Sequence, residues 1–162
     1  MKKVKIILLS LCVTVIFTSC ARSEYTDEKR CEDICKIMTD SLDDSQKYYE
    51  FDKNHIELYF DDTDEYDDHY AIYSADTNDI NEIGVFHAPD SNSADDLAES
   101  CREYIENMQE NSRSFIASYA PEELSKFDAA EVRKFGNYVI YTVLPEDKAE
   151  TIFEHIKGEL KK

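Results

Sequence analysis

From Cys31 onward, apolar residues recur at steps of three and four: Cys31, Ile34, Cys35, Met38 and Leu42 share one face, with Glu32, Asp33, Lys36 and Asp40 between them. An α-helix turns once in about 3.6 residues, so this spacing predicts an amphipathic helix of about four turns. Asp43-Asp44-Ser45 ends it. From His55 to Phe60 the period drops to two, with Ile56, Leu58 and Phe60 alternating with His55, Glu57 and Tyr59, and a strand with one apolar face is expected. A second strand follows over about His69 to Ala75. The charged run Asp61 to Asp68 between them is too polar to pack and reads as the exposed connection of a hairpin. Ile83 to Ala88 is apolar on both faces and is expected to be a third strand, closed by Pro89.

The second half is more regular. Ser93, with Asp96 three residues on, offers a helix start, and Ala94, Leu97, Ala98, Cys101, Tyr104, Ile105, Met108, Phe115, Ile116 and Tyr119 keep to one face. A continuous helix from 93 to 118 would be roughly 39 Å long, with Ser112 marking its weakest turn. Pro121 to Phe127 reads as a short helical turn. Val132–Phe135 and Tyr138–Leu144 flank Gly136-Asn137, a pair suited to a tight hairpin because both residues tolerate positive φ. Pro145, followed by Glu146 and Asp147, opens a last helix whose buried stripe is Ile152, Phe153, Ile156 and Leu160. The order α-β-β-β-α-β-β-α predicts an α+β domain: a roughly five-stranded antiparallel sheet with helices packed on one face.

Ahead of this domain, Lys2, Lys3 and Lys5 precede an apolar run from Ile6 to Phe17, followed by Thr18-Ser19-Cys20. A basic start, an apolar stretch and a small-residue exit make a secretion signal. About twelve apolar residues rise only about 18 Å as a helix, short of the roughly 30 Å of a bilayer core, so a permanent span is the poorer reading. Cys20 after small residues resembles the bacterial lipobox, although Phe17 stands where Leu is usual. Residues 1–19 are expected to be removed and Cys20 to carry the lipid, residues 20–27 forming a short tether and 28–162 a single domain. The partner implied at this end is a membrane, held through two or three acyl chains on the extracytoplasmic side.

Charge narrows the function further. The chain carries 36 acidic against 18 basic residues, a net charge of −18, and loss of residues 1–19 removes three Lys to leave −21. Such a surface repels phosphodiesters, so nucleic-acid binding is excluded. Gly84, Gly136 and Gly158 lie too far apart to build a glycine-rich phosphate loop or a nucleophile elbow. With Cys20 acylated, Cys31, Cys35 and Cys101 remain in the exported part, which permits one bridge, from Cys31 or Cys35 to Cys101. Three buried small side chains are the simpler account.

Concentrated chemistry is sparse. Asp62, Asp64 and Asp68 resemble the early part of a calcium loop, yet Asp67 stands where the loop needs Gly and Tyr73 where it needs a bidentate Glu, so a solvated turn is the better reading. His55, His69, His87 and His155 form no ligand pair. No catalytic residue, metal site or cofactor is implied. Eleven Tyr is a high number for this length, and Tyr59, Tyr66, Tyr70 and Tyr73 gather near the first hairpin as a candidate binding face for a protein, peptide or glycan, since Tyr supplies contact area at low entropy cost.

Glu82-Ile83-Gly84-Val85-Phe86 in a strand, a long helix after it, Tyr119-Ala120-Pro121-Glu122, and Phe135-Gly136-Asn137-Tyr138-Val139 before a last helix together resemble the domain of unknown function 4358 family of small Gram-positive lipoproteins. The resemblance spans about Thr26 to Ile156. It implies a lipoprotein with no assigned activity and supplies no catalytic residues. The expected function is a non-enzymatic, membrane-anchored binding or interaction module, and the alternative is a small cell-envelope hydrolase.

Overall fold

The computed structural model describes residues 24–42, 46–60 and 66–162. Helix α1 (Cys31–Asp40) is followed by strand β1 (Tyr48–Glu50), helix α2 (Lys53–Tyr59), strands β2 (Asp68–Ser74) and β3 (Glu82–His87) and the long helix α3 (Ser91–Tyr119). A 3-10 turn (Pro121–Glu123) leads into α4 (Leu124–Asp128), the hairpin β4 (Glu131–Phe135) and β5 (Tyr138–Val143), and α5 (Glu146–Leu160). The strands form one antiparallel sheet in the order β1-β2-β3-β5-β4. The expected α+β class and five-stranded antiparallel sheet are therefore found. Gly136, at φ 66°, makes the β4–β5 turn as its sequence predicts.

The two central strands are apolar on both faces because both faces are covered. Ile83 and Val85 of β3 and Tyr138 and Ile140 of β5 join the α1 and α5 side chains in one core, while Phe86, Val139 and Tyr141 join Ile56, Phe60 and the buried stripe of α3 in another. The expectation of helices on a single face is thus corrected: α1 and α5 lie on one side of the sheet, α2 and α3 on the other. The same arrangement rules out the bridge to Cys101, since Cys31 and Cys35 sit in the first core and Cys101 in the second, all three buried and none in a disulfide.

The largest departure is at His55–Phe60, which is helix α2 rather than a strand. Ile56 and Phe60 satisfy an i, i+4 helical stripe as well as an alternating one. The structure buries those two and leaves Leu58, the third apolar position of the alternation, 71% exposed. Asp52 decides the matter locally, its carboxylate accepting the His55 N–H at 3.0 Å as an N-cap. The first strand is instead the three-residue edge β1. Helix α3 starts on Asp90, whose side chain accepts from Asn92 and Ser93 N–H, and runs unbroken past Ser112. Its expected stripe overreaches at the C-terminal end: Ile116 still packs with Phe127 and with Val143 of β5, while Phe115 (60%) and Tyr119 (73%), one turn apart and in contact with each other, are exposed. No helix among the described residues is long and apolar enough to cross a membrane.

One glycine sets the spacing of the second core. Gly84 pairs with Tyr141 across β3 and β5, and a Cβ at Gly84 would fall 2.0 Å from Tyr141 Cε1. The bare backbone lets the Tyr141 ring lie across β3. That ring is wedged against Phe60, Phe86 and Tyr104, with centroids 5.6 to 6.3 Å away, so it has nowhere to retreat. Gly84→Ala is expected to cost about 3 kcal/mol of unfolding free energy in urea denaturation, and much less in a Tyr141→Ala background.

Candidate functional site

A cleft of about 550 Å3 opens at the end of the sheet where β2 finishes and β3 begins. Phe51 and α2 form one side, Tyr73 and the β2–β3 connection the back, and Tyr104, Asn107 and Asn111 of α3 the other side. A run of aromatic rings leads from the β1 edge into it. Tyr49 meets Tyr73 (centroids 5.9 Å), Tyr73 meets Phe51 (4.8 Å), Phe51 stacks on His55 (4.0 Å), and His55 leads through Tyr59 (4.9 Å) to Tyr104 (5.1 Å). Tyr49, Tyr59 and Tyr73 are exposed while their neighbours are half-buried or buried. The edge strand and the short helix place these rings. Tyr73 points to the α3 side of β2, and α2 turns His55 and Tyr59 one helical turn apart toward the same opening.

Glu82, 7% exposed, lines this cleft at the head of β3. Tyr141 donates its hydroxyl to Glu82 Oε1 at 2.6 Å across the bare Gly84 backbone, and Tyr104 hydrogen-bonds the same carboxylate from α3. Burial pushes the Glu82 carboxyl up to about 7, against the opposing pull of the two tyrosine hydroxyls. Burial, reinforced by the charge of Glu82, drives the Tyr104 hydroxyl far above its ordinary value. His55 is held below its usual value by desolvation in spite of nearby Asp52, and its Nε2 has no hydrogen-bond partner among the described residues.

Beneath the cleft, Lys126 of α4 is buried between Asp79 (2.7 Å) and Glu123 (2.5 Å), and Glu123 also accepts the Ile80 N–H at 2.9 Å. This pins the β2–β3 connection to α4. Burial works to raise the Asp79 carboxyl, but the hydrogen bonds from Lys126 and the Asn81 N–H outweigh it and hold the group below the usual carboxylate range.

The tyrosines singled out in the sequence are divided by the sheet. Tyr59 and Tyr73 share the cleft. Tyr66 lies half-buried over the second core, its hydroxyl donated to Phe60 O at 3.1 Å. Tyr70 is on the opposite face, beside α1, where it lines a separate cavity of about 380 Å3. Of the calcium candidates, Asp62 and Asp64 lie outside the described residues, and Asp68 accepts the Cys31 N–H at 2.8 Å as a cap on α1. No group of three or more metal-ligating side chains occurs among the described residues. Cys20 also lies outside them. Sequence reasoning missed Phe51, His55, Glu82 and Tyr104 as site residues. The available signal was Glu82 itself, a carboxylate heading a strand otherwise apolar on both faces.

A carboxyl raised from 4.5 to about 7 keeps its proton in the folded state while the unfolded chain releases it. Folding stability from this group is therefore fully present below about pH 4.5 and declines as pH rises to about 7, by roughly 3 kcal/mol at most. Glu82→Gln is expected to remove that decline. Comparing urea midpoints at pH 5 and pH 8 for the two chains checks it: an equal pH response in both would contradict the assignment.

No curated protein and no solved structure matches the chain. The model of one protein family, Domain of unknown function (DUF4358), matches residues 31–144, from the first residue of α1 to just past the end of β5, and the chain belongs to that family.

Proposed function

We propose that the protein is an extracytoplasmic lipoprotein, anchored to the membrane through Cys20, whose α+β domain is a non-enzymatic binding module working through the cleft between α2 and α3. The observation that carries this reading is the run of six rings from Tyr49 to Tyr104, in which Tyr49, Tyr59 and Tyr73 are exposed and the last two of these line a concave site. Exposed aromatic area costs solvation free energy in the free protein and is recovered when a partner covers it. The partner is a protein, peptide or glycan of the cell envelope. The basic, apolar and small-residue order of residues 1–20 supports the anchor.

One observation favours the second reading, a small cell-envelope hydrolase: a buried carboxyl raised to about 7 is suited to general-acid work. Against it, Glu82 already accepts from two tyrosine hydroxyls, and Asp79, a half-buried acid at the cleft, is committed to Lys126.

Two measurements test the proposal. Mass spectrometry of the protein from its cells is expected to find Cys20 as an acylated first residue, and an unacylated terminus would overturn the anchor. Envelope peptide and glycan fractions titrated against the protein are expected to give a saturable change in Tyr fluorescence, lost in Tyr59→Ala/Tyr73→Ala at unchanged thermal stability, with the ligand recovered intact. Recovery of cleaved ligand would transfer the cleft to the hydrolase reading.

A further inference from the structure

Glu82 and Glu123 are the two buried glutamates among the described residues, and their surroundings differ in one respect. Glu123 has a built-in cation, the Lys126 ammonium at 2.5 Å. Glu82 has none: the described ion pairs do not include it, and the cleft it lines contains no Lys or Arg. Its polar contacts are hydroxyls only, Tyr141 at 2.6 Å on Oε1 and Tyr104. An ionised carboxylate offers about four acceptor positions, so two remain open after these tyrosines are counted. A buried carboxylate is stabilised chiefly by a paired cation, and a cation is what this site lacks.

The surrounding surface suits one kind of cation. The rings of Tyr59, Tyr73 and Tyr104 line the opening, and aromatic faces attract an ammonium while packing against the alkyl chain that carries it. Asn107 and Asn111, one helical turn apart on α3, add amide oxygens that accept from a polar group at the mouth. A bare metal ion fits poorly, because such a cation needs several oxygen ligands and the described residues hold no such group. Resting on the binding reading above and going beyond it, we propose that the cleft takes the ammonium end of an aliphatic amine, with the Glu82 carboxylate as its counter-charge and the Tyr59, Tyr73 and Tyr104 rings around its alkyl stem. Two sources share this chemistry, a lysyl side chain of an envelope peptide and a free diamine.

The neighbours of Glu82 fix how pH enters. Tyr141 on β5 and Tyr104 on α3 are both held far above neutrality, His55 on α2 is held below its usual value, and Asp79 in the β2–β3 connection is already ionised against Lys126 of α4. Glu82, pushed up to about 7, is the carboxyl of this set that loses its proton between pH 6 and 8. Amine binding draws its proton off, and affinity rises with pH across that interval.

The test uses the full-length protein in detergent, titrated calorimetrically with Nα-acetyl-lysine amide, its uncharged isostere Nα-acetyl-norleucine amide, and 1,5-diaminopentane. At pH 8 at least one amine is expected to bind at least tenfold more tightly than the norleucine amide, to weaken several-fold at pH 6, and to lose tenfold or more in Glu82→Gln. That variant keeps the Tyr141 hydrogen bond, and its unfolding midpoint at pH 6 verifies the fold. Tighter binding of the lysine amide identifies a peptide source, and tighter binding of the diamine a free one. Equal binding of the norleucine amide, or unchanged amine affinity in a folded Glu82→Gln, would overturn the ammonium assignment and leave a neutral aromatic site. Silence from all three probes also overturns it, while the binding reading is decided separately by the envelope fractions and the Tyr59→Ala/Tyr73→Ala chain.

Discussion

The hydrogen bond from Tyr141 to Glu82 connects the packing of this domain to its cleft. It exists because Gly84 has no side chain: the Tyr141 ring crosses β3 over bare backbone and reaches the carboxylate at the strand's first residue. The same ring supports Phe60 and Phe86 and faces Tyr104 of α3, so one aromatic group fixes how closely α3 approaches the sheet and where the cleft floor lies. Proteins place polar groups in cores when those groups are satisfied, and here the satisfaction is partial by design of the surroundings: two hydroxyls and no cation.

Acidity gives that carboxylate its meaning. Among the described residues most acids are exposed, several paired with surface Lys or Arg at little net gain. The acids inside the fold, buried or half-buried, are different. Glu123 and Asp79 sit around Lys126 and hold the β2–β3 connection in place, a structural use of charge. Glu82 stands next to that connection with its charge uncompensated, and the elements that would otherwise close over it, α2 and α3, leave an aromatic-lined opening instead.

The sequence made local structure legible where one signal dominated. Gly136-Asn137 between two apolar runs specified a hairpin because turn chemistry is short-range, and the α3 stripe specified a helix because about seven turns repeat the same period. At His55–Phe60, six residues fitted both periods, and the arbiter was the capping carboxylate of Asp52, three residues before the run. Strand β1 has three residues and was too short to register. The helices on both faces were implicit in β3 and β5 themselves, since a strand apolar on both sides has to be covered on both. Of the cleft, the sequence marked only Tyr59 and Tyr73: Phe51, His55, Glu82 and Tyr104 come from separate segments, and only the sheet register and the α2 turn bring them together.

The path of the chain ahead of α1 gives the domain two poles. Tyr25 bridges to Lys161 and packs edge-on against Phe135, Asp27 lies 3.7 Å from His87, and Lys29 O accepts the Tyr138 hydroxyl, all at the end of the sheet where β3 finishes. The cleft is at the opposite end, beside Glu82, roughly 17 Å away along β3. Cys20 precedes Glu24 by four positions, at most about 14 Å of extended chain. A lipid at that cysteine would therefore moor the domain by its rear pole and turn the aromatic mouth outward, away from the bilayer and toward whatever the envelope presents.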